Sequence, residues 1–289
     1  MDIHLVQMAI VRGKPAFNRA KVQALTGPLG APLGAAPGGP TAAKAGKPTL
    51  VVLPELFSTG FLDETSAALP GPAGAEGETW EEVADRDREF LSALSRSLDC
   101  WVAGTTVEAG DKHGGTPRFR NVSMLHGPDG LEMATYRKVH PFSYGGEDKL
   151  FTGGRELVTV DIDGWVVQPT ICYDLRFPEL YRAGSLRGTH LILVQANWPE
   201  ARQAHWETLL RARAIENQAF VAGVNCLGTQ ETLRYVGGSM LISPKGETLA
   251  LGGETEGLIK GKADLDLCKQ WRRAFPALRD RLPSDFYRS

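Results

Sequence analysis

The sequence predicts a single α/β sandwich, in which helices cover β-sheets, and three observations support this. The chain has 289 residues, of which 42% are hydrophobic and 23% are charged, an ordinary globular composition that can bury a sizeable core. Strand-like and helix-like segments alternate along most of its length, which is typical of α/β proteins. Near the C-terminal end, two short apolar runs flank the turn-forming sequence Pro244–Glu247 and predict a β-hairpin.

The first half of the chain predicts three strands and one long helix. Apolar residues from Trp80 to Leu98 recur on one helical face, and Thr79 followed by Glu82 forms a capping box at the start of that helix. The segment Leu50–Leu53 is a continuous apolar run, as expected for a strand buried on both faces. The predicted strands are Ile3–Val11, Leu50–Leu53 and Trp101–Thr106.

The second half continues the alternation. Trp206, Leu210 and Ala214 share one face of a predicted helix. The last two predicted strands form the hairpin around Pro244–Glu247. The predicted strands are Val166–Cys172, Leu191–Ala196, Ala219–Cys226, Met240–Ser243 and Thr248–Leu251.

Two segments depart from this regular pattern within one predicted domain, residues 1–289. In residues 27–47, 16 of 21 positions are Gly, Pro or Ala, so this stretch cannot bury much apolar surface and is interpreted as an inserted surface loop. From Asp264 the tail contains an amphipathic stretch with Leu267, Trp271 and Phe275. The alternatives are a solvated tail and an arm that packs on a neighbour, and the arm is favoured because Trp271, Phe275 and Phe286 are costly to leave in water.

Charge and composition exclude several classes of protein. The 32 basic and 34 acidic residues give a net charge of −2, which leaves no basic excess for nucleic acid. No apolar run approaches 18 residues, and the N-terminus lacks a basic signal region, so neither a membrane span nor secretion is expected. Four widely spaced cysteines favour the reducing cytoplasm, and six histidines without metal-ligand spacing predict no metal and no cofactor.

Three residues at predicted strand ends could perform chemistry together. Cys172 follows an apolar strand where the chain turns toward a helix, a position that exposes a nucleophile, although a free cysteine is more often a buried structural residue. Glu55 follows Leu-Val-Val-Leu-Pro, where a desolvated carboxylate would be suited to acid/base work, although an exposed glutamate that begins a loop is favoured when the segment is taken alone. Lys138 could stabilise an oxyanion, or belong to a solvated basic turn.

Read together, these segments resemble the nitrilase superfamily of carbon–nitrogen hydrolases. The matching stretches are LPELFSTGF (53–61), YRKVHPF (136–142) and CYDLRFPEL (172–180), and Glu147 in GGEDKLFTGG (145–154) falls where that family carries a supporting glutamate. The resemblance covers nearly the whole chain except the 27–47 insertion. The segment QANWPEARQAHWETLLRARAIENQAF (195–220) is most similar to the bacterial omega-amidase branch, the YafV-like proteins.

This resemblance implies an αββα sandwich that becomes four-layered on dimerisation, and a metal-free Glu-Lys-Cys site. Cys172 would attack an amide carbon as a thiolate stabilised by Lys138. The Lys138 ammonium and the backbone N–H of Tyr173 would hold the oxyanion. Glu55 would take the thiol proton, deliver it to departing ammonia and then activate water for hydrolysis of the thioester. Glu147 would orient Lys138 and the substrate amide.

An omega-amidase acts on the terminal amide of a small 2-oxo dicarboxylic acid, so its far carboxylate needs a cation or several N–H donors. Arg176 is a candidate for this role, and a structural pair with Glu179 or Asp174 is the alternative. Aromatic and histidine side chains near the strand ends are predicted to wall the pocket. They are Phe61, His140, Phe142 and Trp198.

Several readings remain open at the level of sequence. Within the superfamily, the alternatives are a nitrilase, an N-carbamoyl amine hydrolase and an amidase for deaminated glutathione, because pocket walls and not catalytic residues separate them. An acyltransferase would pass the thioester acyl group to an amine. A non-catalytic binding protein is disfavoured, since its expected mark is a lost catalytic residue. The predicted partners are a small amide, water and a second copy of the chain, with no nucleic acid and no membrane.

Overall fold

A computed structural model describes residues 1–30, 48–62, 78–110 and 118–282. Two six-stranded sheets within these ranges pack face to face, and helices cover their outer faces. The predicted inserted loop lies mostly outside the described residues, which include only its first four positions. The helices are α1 (Pro15–Thr26), α2 (Trp80–Leu98), α3 (Glu147–Leu150), α4 (Pro178–Leu186), α5 (Gln203–Asn217) and α6 (Leu265–Ala274).

The first sheet is built from the N-terminal half of the chain and one C-terminal strand. Its order is β14-β1-β2-β3-β4-β5, with β1, β2 and β3 parallel and the remaining neighbours antiparallel. The strands are β1 (Asp2–Gln7), β2 (Thr49–Val52), β3 (Trp101–Ala109), β4 (Phe119–His126), β5 (Glu132–Arg137) and β14 (Gly257–Lys262).

The second sheet comes entirely from the C-terminal half. Its order is β13-β12-β9-β8-β7-β6, with a parallel centre of β7, β8 and β9. A two-stranded hairpin, β10 (Leu227–Gln230) and β11 (Leu233–Val236), follows β9. The sheet strands are β6 (Val160–Ile162), β7 (Trp165–Ile171), β8 (Leu191–Ala196), β9 (Phe220–Asn225), β12 (Met240–Ile242) and β13 (Thr248–Leu251).

Apolar side chains form buried clusters at three interfaces, one between the two sheets and one between each sheet and its helices. Between the sheets, residues such as Leu5 and Leu193 form a common buried cluster. Helix α2 packs Leu91 onto the first sheet, and α5 packs Trp206 onto the second. One chain is therefore an αββα sandwich, which confirms the predicted fold class. The capping box at Thr79 is also present, and the predicted hairpin of β12 and β13 is antiparallel.

The C-terminal arm packs on its own chain. Leu267 lies against the core between the sheets, and the thiol of Cys268 donates to the backbone oxygen of Gln218 at 3.3 Å. Trp271 and Phe275 stack with centroids 5.3 Å apart, and Phe275 remains 55% exposed. Packing of this arm on a neighbouring subunit remains a prediction.

Candidate active site

The carboxyl ends of strands from both sheets converge on one cavity. Glu55 follows β2 and Lys138 follows β5, which runs in the same direction as β2. From the second sheet, Cys172 follows β7 and Asn197 follows β8. Ligand sites in open α/β sheets lie at this edge of the strands, so the topology brings these four side chains together.

Cys172 occupies a sharp turn between a strand and a one-turn 3₁₀ helix, Cys172–Arg176. Its φ is +45°, a left-handed conformation that is unfavourable for a residue with a Cβ and that is found at functional sites. The sulfur lies 3.9 Å from the backbone oxygen of Asn197 and borders the cavity. The turn thus presents the thiol at the edge of the second sheet, as the sequence predicts.

Lys138 bridges two carboxylates in a cluster that is almost fully buried. Its Nζ lies 2.8 Å from Oε1 of Glu55, and 2.9 and 2.7 Å from Oε1 and Oε2 of Glu147. All three side chains are at most 2% exposed. The second oxygen of Glu55 accepts from the backbone N–H of Asn197 at 3.0 Å, and that of Glu147 accepts from Phe142 N–H at 2.6 Å.

The electrostatics of this cluster fix its resting protonation. Burial alone would lower the pKa of Lys138, but the two adjacent carboxylates outweigh it and raise that pKa, so the lysine is an ammonium. Burial raises the pKa of Glu147, and Lys138 offsets only part of that rise. Two carboxylates that share one ammonium titrate as a coupled set.

The side chain of Cys172 is a thiol in this site. Burial raises the pKa of Cys172 well above its ordinary value, and the charge of Glu55 adds to that rise. Lys138 acts in the opposite direction but does not reverse it. Burial and the charge of Glu55 therefore favour the thiol over the thiolate before the attack, and the thiolate stabilised by Lys138 remains a prediction for the attacking sulfur. A thiolate can form only as its proton leaves.

The cavity beside Cys172 measures about 370 Å³, a size that suits a small ligand. Four of the five predicted pocket residues line it: Phe61, Phe142, Arg176 and Trp198. Its remaining walls come largely from the β10–β11 hairpin and from the segment after β8. These further lining residues include Tyr173, Asn197, Arg202, Gln230 and Tyr235.

His140 does not line the cavity, contrary to the prediction. Its ring nitrogen Nδ1 lies 2.9 Å from Oδ1 of Asp174, and its ring stacks on Phe177 with centroids 3.7 Å apart. The fully buried Asp174 also accepts from the backbone N–H of Ile171 at 3.0 Å. His140 thus faces the turn that carries Cys172 and helps to join it to the lysine segment.

Two guanidinium groups of the cavity have no carboxylate partner within the described residues. Arg176 lies 4.8 Å from the ring centroid of Trp198 and 3.4 Å from Nδ1 of His205, so the predicted alternative of a pair with Glu179 or Asp174 is wrong. Arg202 lies 5.5 Å from the ring centroid of Phe142. Both cations therefore stay available to an anionic ligand.

Sequence reasoning missed Asn121, Asn197 and Arg202. Asn121 is buried and donates to Oε1 of Glu55 at 2.9 Å and of Glu147 at 3.2 Å. Asn197 ends β8 just as Cys172 ends β7, so the same strand-end rule could have identified it. Asn121 belongs to the sequence Asn-Val-Ser of a glycosylation acceptor, a role that its burial excludes.

The described residues lack two other features, a cluster of metal ligands and a membrane-spanning helix. They contain no group of three or more His, Cys, Asp or Glu side chains placed to hold a metal ion. Over the same ranges, no helix is both long and apolar enough to cross a bilayer.

Comparison with known proteins identifies relatives along nearly the whole chain. Residues 3–273 match the family model described as carbon-nitrogen hydrolase. The chain is 34% identical to a 2-oxoglutaramate amidase of Paenarthrobacter nicotinovorans over 82% of this chain and 79% of that protein. It is 37% identical to the omega-amidase YafV of Yersinia enterocolitica, with 80% and 83% covered.

A solved structure of the same superfamily has a similar fold. The CN-hydrolase superfamily protein XC1258 from Xanthomonas campestris, which has an arsenic adduct in its active site, superposes with a TM-score of 0.79 at 31% identity. The match covers 98% of this chain and 97% of that one.

Proposed function

The chain belongs to the carbon–nitrogen hydrolase family, and from that premise we propose that it is an omega-amidase acting on a 2-oxo dicarboxylic acid monoamide. The observation that carries the proposal is the cavity itself, where the Cys172 thiol adjoins a buried Glu55–Lys138–Glu147 cluster and two unpaired guanidinium groups. The proposed substrates are 2-oxoglutaramate and 2-oxosuccinamate, because relatives carry the names 2-oxoglutaramate amidase and omega-amidase.

The first half of the proposed reaction forms a thioester. The Cys172 sulfur attacks the amide carbon while its proton passes to the Glu55 carboxylate, so the thiol need not ionise beforehand. The oxygen of the tetrahedral intermediate is held by Lys138 and by the backbone N–H of Tyr173. The protonated Glu55 then gives its proton to the amide nitrogen, and the C–N bond breaks to release ammonia.

The second half hydrolyses the thioester. Glu55, again a carboxylate, takes a proton from a water molecule as the water oxygen attacks the thioester carbon. Collapse of this intermediate breaks the C–S bond, and the sulfur recovers a proton from Glu55. Glu147 stays bound to Lys138 throughout, so it keeps the ammonium in place while Glu55 moves protons.

The far carboxylate of the substrate requires a cation in the cavity. Arg176 and Arg202 supply this charge in the proposal, because neither has a carboxylate partner in the described parts of the chain. Phe61, Phe142 and Trp198 form the apolar walls between the cations and the thiol. A short, linear acid amide would therefore lie with its amide at Cys172 and its acid at the arginines.

Ammonia release from 2-oxoglutaramate and 2-oxosuccinamate tests the proposed activity. We expect turnover by the wild type, none by Cys172→Ala, and normal turnover by Cys268→Ala, which removes a buried thiol of α6 instead. Absence of release by the wild type would overturn the omega-amidase assignment and redirect the search to carbamoyl amines, nitriles and peptide-like amides.

Recognition of the substrate carboxylate by the two arginines can be tested separately. Replacing Arg176 or Arg202 by Met should lower kcat/KM for the acid substrate by about 10- to 100-fold, the range expected for one charged hydrogen bond. A neutral amide of equal length should be affected less than threefold. Equal losses on both substrates would show that the arginines do not read the carboxylate.

We also propose that the protein works as a cytoplasmic homodimer, with the two sandwiches forming four layers. The compartment is supported by the cysteines, since all four are free thiols and cytosolic proteins rarely carry disulfides. The dimer is supported by the family resemblance and by the exposed Phe275 of the C-terminal arm. Sedimentation of the wild type and of Phe275→Ser would test this assembly.

A further inference from the structure

Asn121, the third residue of β4, contacts every charged member of the buried cluster. Its side-chain nitrogen Nδ2 donates to Oε1 of Glu55 at 2.9 Å and to Oε1 of Glu147 at 3.2 Å. Its backbone oxygen accepts from the backbone N–H of Lys138 at 2.9 Å. The residue is 1% exposed and is not among the residues that line the cavity.

The orientation of this amide follows from its neighbours. A carboxamide has two N–H donors, and here each faces a different carboxylate. Rotating the amide of Asn121 by half a turn would place its own oxygen against the oxygens of Glu55 and Glu147. In the present orientation that oxygen, Oδ1, is buried with no hydrogen-bond partner in the described parts of the chain. The site therefore accepts one unsatisfied carbonyl to keep both donors on the carboxylates.

The cluster has more negative than positive charge. The groups that face Glu55 and Glu147 are the Lys138 ammonium and the neutral thiol of Cys172. Farther out, Glu55 helps to raise the pKa values of Cys226 and Tyr235, which also stay neutral. A single cation thus serves two buried carboxylates, and hydrogen bonds to the charged form must provide the remaining stabilisation.

We propose that Asn121 is a positioning residue that keeps Glu55 and Glu147 ionised and at a fixed separation, so that Glu55 can accept the thiol proton. This inference rests on the roles given to the two glutamates in the proposed function. Without the N–H donors, the cluster would bind a proton more readily, and a protonated Glu55 cannot act as the base.

The test compares variants at two buried positions of β4. Asn121→Leu removes both donors at similar size, and Asn121→Asp keeps the shape but replaces donors by acceptors. Ser123→Ala is the matched control, since Ser123 is also buried and donates to Oε1 of Gln195 at 2.5 Å. Loss of one such donor moves a carboxyl pKa by about one unit.

We expect the acid limb of the pH profile of kcat/KM to move to higher pH by about one unit in Asn121→Leu, and further in Asn121→Asp. The Ser123→Ala limb should coincide with the wild type, although this variant also loses a buried hydrogen bond. An unshifted limb in a folded Asn121 variant would overturn the proposal. Asn121→Ser, which leaves a cavity and causes no clash, supplies a folded variant if the larger replacements do not fold.

A second readout does not depend on the substrate. The rate at which iodoacetamide alkylates Cys172 reports transfer of the thiol proton, and its acid limb should shift in the same Asn121 variants. If the wild type releases no ammonia but the alkylation limb shifts, only the proposed activity fails. If turnover is normal and neither limb shifts, only the role of Asn121 fails.

Discussion

Two buried acidic clusters lie on opposite sides of the segment that follows β2, and they differ in their balance of charge. Asp87 of α2 accepts from Arg19 at 2.8 Å and from the hydroxyls of Ser58 and Thr106 at 2.5 and 2.6 Å. The charges there balance, because Arg19 also lies 4.0 Å from Glu78, and Glu78 pairs with a second guanidinium, that of Arg86. The Glu55–Lys138–Glu147 cluster instead has two carboxylates for one ammonium, and it adjoins a thiol and a cavity.

This difference distinguishes a structural cluster from the cluster that we propose to be reactive. Every oxygen of Asp87 is occupied and Asp87 is fully buried, so the cluster joins α1, α2, β3 and the segment after β2. The oxygens of Glu55 and Glu147 also accept hydrogen bonds, but two carboxylates share one ammonium there, so one of them can take a proton without leaving a buried cation unpaired. Burial raises the pKa of Asp87 as it raises that of Glu147, so the charge balance and the adjoining thiol distinguish the two.

The largest expected effect is that of Glu55→Gln on activity. The variant keeps the shape of the side chain but cannot take the thiol proton, and general-base catalysis contributes about 10²- to 10⁴-fold. We therefore expect kcat to fall by that factor while urea unfolding changes little, because a surplus charge is removed. Near-normal turnover would show that the surplus carboxylate is not the base.

Asp87→Asn should show the opposite pattern. It removes the hydrogen-bonded countercharge of the buried Arg19 guanidinium, whose other carboxylate, Glu78, lies 4.0 Å away, and breaking a buried pair in this way costs about 3–5 kcal/mol of stability. Urea unfolding should register this loss, whereas kcat per folded molecule should stay within about threefold. A large fall in kcat without loss of stability would remove the distinction between the clusters.

The smallest effect concerns His190, a half-buried titratable group on which the charges of Arg272 and Lys269 outweigh that of Asp161. Burial, with help from the charges of Arg272 and Lys269, lowers its pKa to about 4, and its neutral Nδ1 accepts from Val166 N–H at 3.1 Å. The unfolded chain takes up this proton near pH 6.5. Stability should therefore fall as the pH drops from about 6.5 toward 4.

Solvent screening reduces this contribution to about 1 kcal/mol. The free energy of urea unfolding, measured between pH 4.5 and 7, should depend less on pH in His190→Asn than in the wild type. Identical slopes in the two proteins would assign the acid sensitivity to other groups.

The sequence predicted the buried strands well but not the polar ones. β2 and β8 each contain a run of at least three consecutive apolar residues, and their bounds agree with the predictions within one residue. β4 was missed because Arg120, Asn121 and Ser123 interrupt its apolar pattern, although Asn121 and Ser123 are buried. Pattern rules assign polar residues to the surface, so they fail where a buried network requires polar side chains.

The candidate active site, like the strands, was predicted only in part from the sequence. Glu55 and Cys172 end recognisable strands, whereas Lys138 follows β5, a strand that the pattern did not reveal, so a solvated basic turn stayed open for Lys138 until the family resemblance favoured a site. His140 was misplaced because the buried Asp174, 34 positions away in sequence, binds its ring. Such long-range partners leave no local signal, and for the same reason Arg202 was not identified.

The division of the site between two sheets has a consequence for the order in which the protein matures. Glu55, Lys138 and Glu147 are present once about half of the chain has been synthesised, but Cys172 and Asn197 belong to the second half. The first sheet also lacks one of its edge strands until β14 has been made. β14 lies near the C-terminal end of the chain and pairs with β1. A ribosome must therefore complete nearly the entire polypeptide before a reactive centre exists, and neither half could carry out the reaction as a separate fragment.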